Sequence, residues 1–215
     1  IKGEYVVNIP LDVTGPSTLE VVTNVLGEVA SIFPDPWFHV GGDELPSDCM
    51  RENNEVMARA NEDIPKAVHT FETSVRKYLE SKHNKTLVFW DDADGLHGFN
   101  ADGVVMEVWH RQKVTKYVKE GIPFIDTGYW YLDVGCKTTR ACHRRTAELN
   151  SSLGGEACAW ELTQGECKSK ENNGETWERR FDRIVWRKLI GFSEAMWSPQ
   201  SVTFDLGRSK QAASW

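Results

Sequence analysis

The chain has 215 residues, 40% hydrophobic and 27% charged, enough for a sizeable core and unlike a disordered segment. Its 25 basic against 32 acidic side chains give a formal net charge of −7. Without Lys/Arg clusters, that balance argues against nucleic acid or anionic membrane as the main partner, and no apolar run is long enough for a spanning helix.

In chain order, residues 17–33 form a predicted amphipathic helix. Ser17 and Glu20 have capping-box spacing, and Leu19, Val22, Leu26, Val29 and Phe33 recur at threes and fours. Pro34 and Pro36 stop it, and Trp37 to Val40 reads as a short buried strand ending at Gly41-Gly42. A second helix over 65–82 carries Val68, Phe71, Val75, Tyr78 and Leu79 on one face. Strands follow at 86–90, 104–109, 122–126 and 153–160, with a charged helical segment at 111–120. A long helix over 178–196 bears Phe181, Ile184, Val185, Leu189 and Phe192. Strands alternating with helices predict a parallel sheet covered by helices, and no second domain boundary is visible.

Five cysteines, Cys49, Cys136, Cys142, Cys158 and Cys167, form no C-x-x-C pair, and their odd number leaves at least one free or paired with another chain. The acceptor tripeptides Asn84-Lys85-Thr86 and Asn150-Ser151-Ser152 predict glycosylation at Asn84 and Asn150. Together with the cysteines they favour a lysosomal or secreted setting. His39, His110 and His143 lack paired ligands, and Asp91-Asp92-Ala93-Asp94-Gly95 fails the register of a calcium loop, so no metal and no cofactor is expected.

The densest chemistry is His39-Val40-Gly41-Gly42-Asp43-Glu44. Two adjacent carboxylates would normally point to opposite faces of a strand, so they share a site only if the backbone turns, which the glycines permit. A bare acidic turn is usually just solvated. Here, however, aromatic residues and carboxylates recur at successive strand ends: Trp90 before Asp91, Trp109 after Glu107, Tyr131 before Asp133, Trp160 before Glu161. In a parallel α/β barrel those ends meet at one mouth.

These segments resemble family 20 of the glycoside hydrolases, the β-N-acetylhexosaminidases. The motifs that carry the likeness run in order from about residue 11 to residue 200. They are Phe33-Pro34-Asp35, His39 to Glu44, Phe89-Trp90-Asp91, Glu107-Val108-Trp109, Trp130-Tyr131-Leu132-Asp133, Gly154 to Trp160, and Glu194-Ala195-Met196-Trp197-Ser198. The resemblance implies a (β/α)8 barrel, of which this chain would supply roughly strands 4 to 8 as the carboxy-terminal portion of one catalytic domain. It also implies a retaining, substrate-assisted hydrolysis of terminal GlcNAc or GalNAc. Glu44 would then be acid and base, Asp43 would orient the acetamido nitrogen, and Tyr131 would donate to the acetamido oxygen. Trp90, Trp109 and Trp160 would enclose the sugar, with Asp133 on its hydroxyls. Asp133 and Val134 resemble the pocket version that accepts neutral sugars.

The sequence departs from the family where Glu161 follows Trp160 directly and Leu162 stands in the usual glutamate position, in the long stretch up to Trp186, and at Met50 after Cys49. With the barrel's first strands absent, Ile1 reads as a processing scar and the expected partner is an amino-terminal chain of the same precursor, disulfide-linked through Cys49. A homodimer is a further expectation from the family. The competing expectation is an inactive relative that binds carbohydrate or serves as a structural or storage protein.

Overall fold

The computed structural model describes residues 10–95, 99–133, 135–143, 148–160, 176–199 and 201–212, so Ile1, Val134, Glu161, Leu162 and Cys167 lie outside the described residues. The chain divides into two compact units, Ile1–Met106 and Glu107–Trp215.

The first unit contains α1 (Thr18–Ile32), β1 (Trp37–His39), α2 (Ser47–Arg51), α3 (Asn54–Arg59), α4 (Ile64–His83) and β2 (Thr86–Trp90). Strands β1 and β2 pair in parallel, with Trp37 opposite Thr86, Phe38 opposite Leu87 and His39 opposite Val88. Leu87, Val88 and Phe89 are all buried, the continuous apolar run of a strand covered on both faces. Helix α4 starts on the Asp63 side chain, which accepts from the Lys66 N–H, and ends on Asn84 in the left-handed region at φ 52°. It buries Ile64 and Val68 against Met50, Val56 and Ala60. The Lys85 ammonium donates to the carbonyls of Phe33 and Asp35, both at 2.6 Å, and so ties the start of β2 to the approach to β1.

Helix α1 differs from its expected form. Ser17 occupies the cap position with helical dihedrals and its side chain caps nothing. The Thr18 hydroxyl instead donates to the Asp12 carbonyl, and Asp12 is held by Thr14 and Arg59. The buried residues of α1 are Gly27 and Ala30; Val22, Leu26 and Val29 of the expected face are half-buried, while Leu19 and Phe33 at its ends are 36% and 56% exposed. Close approach explains the offset: a Cβ at Gly27 would meet the Tyr78 hydroxyl of α4 at 2.5 Å.

Strand β3 (Val105–Val108) is buried throughout and spans the boundary between the units. The second unit continues with α5 (Val114–Glu120), β4 (Phe124–Asp126), α6 (Thr139–Cys142) and β5 (Gly154–Gly155). Then come α7 (Trp177–Phe181), a π turn over Asp182–Trp186, α8 (Arg187–Trp197) and α9 (Leu206–Ala212). β4 pairs with β5 in parallel, and one further parallel bridge joins Tyr131 to Cys158. The strand expected over 153–160 therefore shrinks to Gly154–Gly155 and that bridge, because two glycines bring no side chains to pack. The single helix expected over 178–196 is α7 and α8 with the π turn between them. Helices α2, α3, α6 and α9 were not expected; each is only one or two turns long and shows no periodic face.

The second core gathers Trp130, Leu132, Ile184 and Val185 around the Cys136–Cys142 disulfide, a pairing the sequence left open. Cys49 and Cys158 are free thiols.

Candidate active site

Within the first unit the Gly41-Gly42-Asp43-Glu44 segment turns sharply at the end of β1. Gly41 and Gly42 take φ 76° and 96°, and Glu44 itself takes φ 44°. A glutamate in the left-handed region is uncommon, and such strain persists only where the surroundings hold it. The residues leading into Glu44 are fixed by β2 and by His39. The Val40 N–H donates to the Val88 carbonyl and the Trp90 N–H to the Gly41 carbonyl, so both flanks are stitched to β2. The Gly41 N–H donates to Nδ1 of His39 at 3.0 Å, and the His39 ring meets the Trp90 ring edge-on with centroids 5.0 Å apart. Phe89, Ala93 and the Glu72 carboxyl back the turn at Gly42, where a Cβ would lie 3.4 Å from Glu72 Oε1.

The Asp43 and Glu44 side chains are exposed and Trp90 is half-buried. The burial that the acid role calls for is thus not present around Glu44 among the described residues of this unit. Asp91, by contrast, is fully buried at the start of a 3-10 turn over Asp91–Gly95, the segment whose acidic residues imitate a calcium loop in sequence.

Within the second unit, the Trp109 ring lies tilted against the His110 ring with centroids 3.8 Å apart and stands 6.5 Å from the Tyr131 ring. Tyr131 and Asp133 are half-buried in the turn that follows Trp130, with Leu132 buried between them. Leu132 is fixed at both ends: its N–H donates to the Cys158 carbonyl at 2.7 Å, and its carbonyl accepts from the Lys188 ammonium. The Tyr131 carbonyl accepts from the N–H groups of Gly135 and Cys136. Trp130, wholly buried, donates through Nε1 to the Cys142 carbonyl at 3.0 Å, which makes it core rather than pocket wall.

Trp160 is 60% exposed. Burial, and then the charges of Glu156 and Glu107, push the Cys158 thiol up to about 12, with the Trp160 side chain hydrogen-bonding against that trend. Glu107, Glu156 and Cys158 bring potential ligand atoms within 4.8 Å of one another, but a thiol held protonated is a poor metal ligand. Lys188 is buried and its affinity for a proton is lowered, first by burial and then by Arg183, with Asp133 opposing.

The structure thus places Asp43, Glu44 and Trp90 on the first unit and Trp109, Tyr131, Asp133 and Trp160 on the second. Sequence reasoning passed over Glu72 and Lys188. Both interrupt an apolar stripe, Glu72 between Val68 and Val75 and Lys188 between Ile184 and Phe192, and that break in pattern was the available signal.

The model of the family described as glycosyl hydrolase family 20, catalytic domain, matches residues 2–200. The chain belongs to that family. Among curated relatives, β-hexosaminidase subunit A1 of Dictyostelium discoideum is 26% identical over 215 residues, covering 91% of this chain and 38% of its own length. The mouse β-hexosaminidase subunit β is 26% identical over 90% of this chain and 37% of its own length. The β-hexosaminidase of Emericella nidulans is 33% identical over 58% of this chain and 23% of its own length. The chain therefore spans less than two fifths of the length of these relatives.

Among solved structures, the chitobiase of Flavobacterium johnsoniae superposes with a TM-score of 0.70 at 22% identity, covering 95% of this chain and 32% of the other. A β-N-acetylhexosaminidase of Bacteroides fragilis gives 0.69 at 22% identity, covering 94% and 44%. These likenesses show the fold: a family 20 chain whose parallel strands and helices form part of a (β/α)8 barrel.

Proposed function

We propose that the protein to which this chain belongs is a retaining β-N-acetylhexosaminidase that removes terminal, non-reducing GlcNAc or GalNAc. The observation that carries this reading is the strained turn at Gly41 to Glu44, which presents two adjacent carboxylates at a strand end with a non-glycine residue at φ 44°. Exposed Glu62 takes the same region at φ 63°, so what sets this turn apart is its place at the end of β1, where it leads out of a strand paired with β2 and beside the His39–Trp90 ring contact.

In the proposed reaction the substrate's 2-acetamido oxygen attacks the anomeric carbon while the bond to the leaving oxygen breaks, and Glu44 gives its proton to that oxygen. The ring so formed is an oxazolinium ion, whose positive charge Asp43 stabilises at the acetamido nitrogen. Tyr131 donates its hydroxyl to the acetamido oxygen and so aims it. Water then attacks the anomeric carbon, Glu44 takes its proton, and the sugar leaves with its configuration retained. Trp90, Trp109 and Trp160 provide apolar faces for the sugar ring and methyl, Asp133 accepts from sugar hydroxyls, and Glu161 supplies a further acceptor. Neutral sugars fit Asp133 and Val134, which bring no cation for a sulfate.

The same reading places the protein in a lysosomal or secreted setting, with glycans on Asn84 and Asn150, both exposed. A (β/α)8 barrel needs more strands than the five among this chain's described residues, and we infer that an amino-terminal part of the same precursor supplies the rest, joined through a disulfide at Cys49.

The test is Glu44→Gln in the full-length protein, assayed on a neutral aryl N-acetylglucosaminide and on its sulfated analogue. Hydrolysis should fall by about a thousandfold or more while sugar binding persists. Undiminished hydrolysis removes Glu44 from its role, and preferred turnover of the sulfated analogue removes the neutral pocket.

A further inference from the structure

A buried lysine is expensive, because its ammonium leaves water and has to be repaid by hydrogen bonds or an opposite charge. Lys188 is only 7% exposed on a helix face it shares with Gly191 and Ala195, where a leucine would pack at no such cost. Its ammonium donates to the carbonyl of Leu132, the residue between the two proposed sugar contacts Tyr131 and Asp133.

We propose that Lys188 is a positioning residue that sets the Tyr131–Asp133 turn from helix α8 through the Leu132 carbonyl.

Three features of the second unit make the arrangement a built one. The Leu132 N–H is already committed to the Cys158 carbonyl, so Lys188 completes a two-ended clamp on a single residue. Helix α8 is itself held in place: a Cβ at Gly191 would lie 1.9 Å from the Thr139 carbonyl oxygen, and the Thr139 hydroxyl donates to the Arg187 carbonyl. The π turn over Asp182–Trp186 ends immediately before α8, and such turns shift the register of the residues that follow. Lys188 sits one turn along from Ile184 and one turn before Phe192, inside the apolar stripe rather than beside it.

The clamp matters because Tyr131 and Asp133 flank the clamped residue. A shift of the Leu132 carbonyl moves the Tyr131 hydroxyl, which aims the attacking oxygen, together with the Asp133 carboxylate, which holds the sugar hydroxyls. An error of about 1 Å in such groups costs about a hundredfold in rate. The inference rests on the reading of Tyr131 and Asp133 as substrate contacts, and the experiment separates the two.

In the full-length protein, Lys188→Met is compared with Lys188→Arg, Tyr131→Phe and the Lys188→Met/Tyr131→Phe double variant, with kcat and KM measured separately on a neutral aryl N-acetylglucosaminide. Lys188→Met should lower kcat/KM by about 10- to 100-fold, with KM raised, and Lys188→Arg should recover most of the loss. In the double variant the losses should fall short of additive, because both act on the same hydroxyl. A merely structural lysine lowers the folded fraction and the melting temperature but leaves KM unchanged and the losses additive; that result overturns the proposal. Should Lys188→Met fail to fold, Lys188→Gln is read in the same way. If Tyr131→Phe alone retains full activity, the reading of the site fails; if it loses activity while the Lys188 variants keep theirs, only the clamp fails.

Discussion

Glu72 shows what a single misplaced polarity does in an apolar stripe. Its Oε2 is buried with no hydrogen-bond partner among the described residues, as is Nδ1 of His69 one turn earlier on α4. Burial raises its pKa from the ordinary 4.5 to about 7. The groups around it are Asp43 near the turn and, on α4, His69, Arg76, Lys77 and Glu80. The folded-state value lies above the unfolded one, so the stability is complete below about pH 4.5 and declines as the pH rises through about 7. Glu72→Gln should flatten that decline by about 3 kcal/mol. Urea unfolding of the full-length wild type and variant at pH 4.5 and pH 7.5 measures it, and parallel pH dependences would discard the assignment. Glu72 and Lys188 could both be found in the sequence as charged residues at apolar positions. What each one touches could not, because the partners lie on other elements: Gly42 for Glu72 and Leu132 for Lys188.

At the scale of elements, the long periodic helices and apolar strands were readable and the short pieces were not. Strand β2 matches its expected span residue for residue and α4 lies within one residue at either end, because burial on both faces and a capped amphipathic stripe are local patterns. Helix α1 keeps its expected face at Val22, Leu26 and Val29 but not its expected cap, and its close approach to Tyr78 at Gly27 brings Gly27 and Ala30 to the buried side. The contact of α6 with α8 is of the same kind. Gly191→Ala would drive a Cβ into the backbone of Thr139, which has no flexible end to give way. The expected cost is about 2–3 kcal/mol, seen as a lowered melting temperature of the full-length protein. An unchanged melting temperature would mean that the two helices sit further apart than 1.9 Å allows for a methyl group.

For the molecule as a whole, the proposed amino-terminal partner makes a direct prediction. On gels of the native, alkylated protein, omitting reductant should keep this chain in a larger species, and Cys49→Ser should release it. Migration of a folded chain by itself without reductant would refute the tether. By itself the sequence determined the family, the order of the strands and the longer helices, and the identity of the carboxylates and aromatic residues at strand ends, because motifs and periodicities are properties of neighbours along the chain. Only the tertiary structure decided that Glu44 takes a left-handed backbone just past the pairing of β1 with β2, that Cys136 closes onto Cys142, and that Lys188 reaches the Leu132 carbonyl. Backbone strain, disulfide partners and buried charges are settled by groups that packing brings together across the fold, whatever their spacing in the sequence.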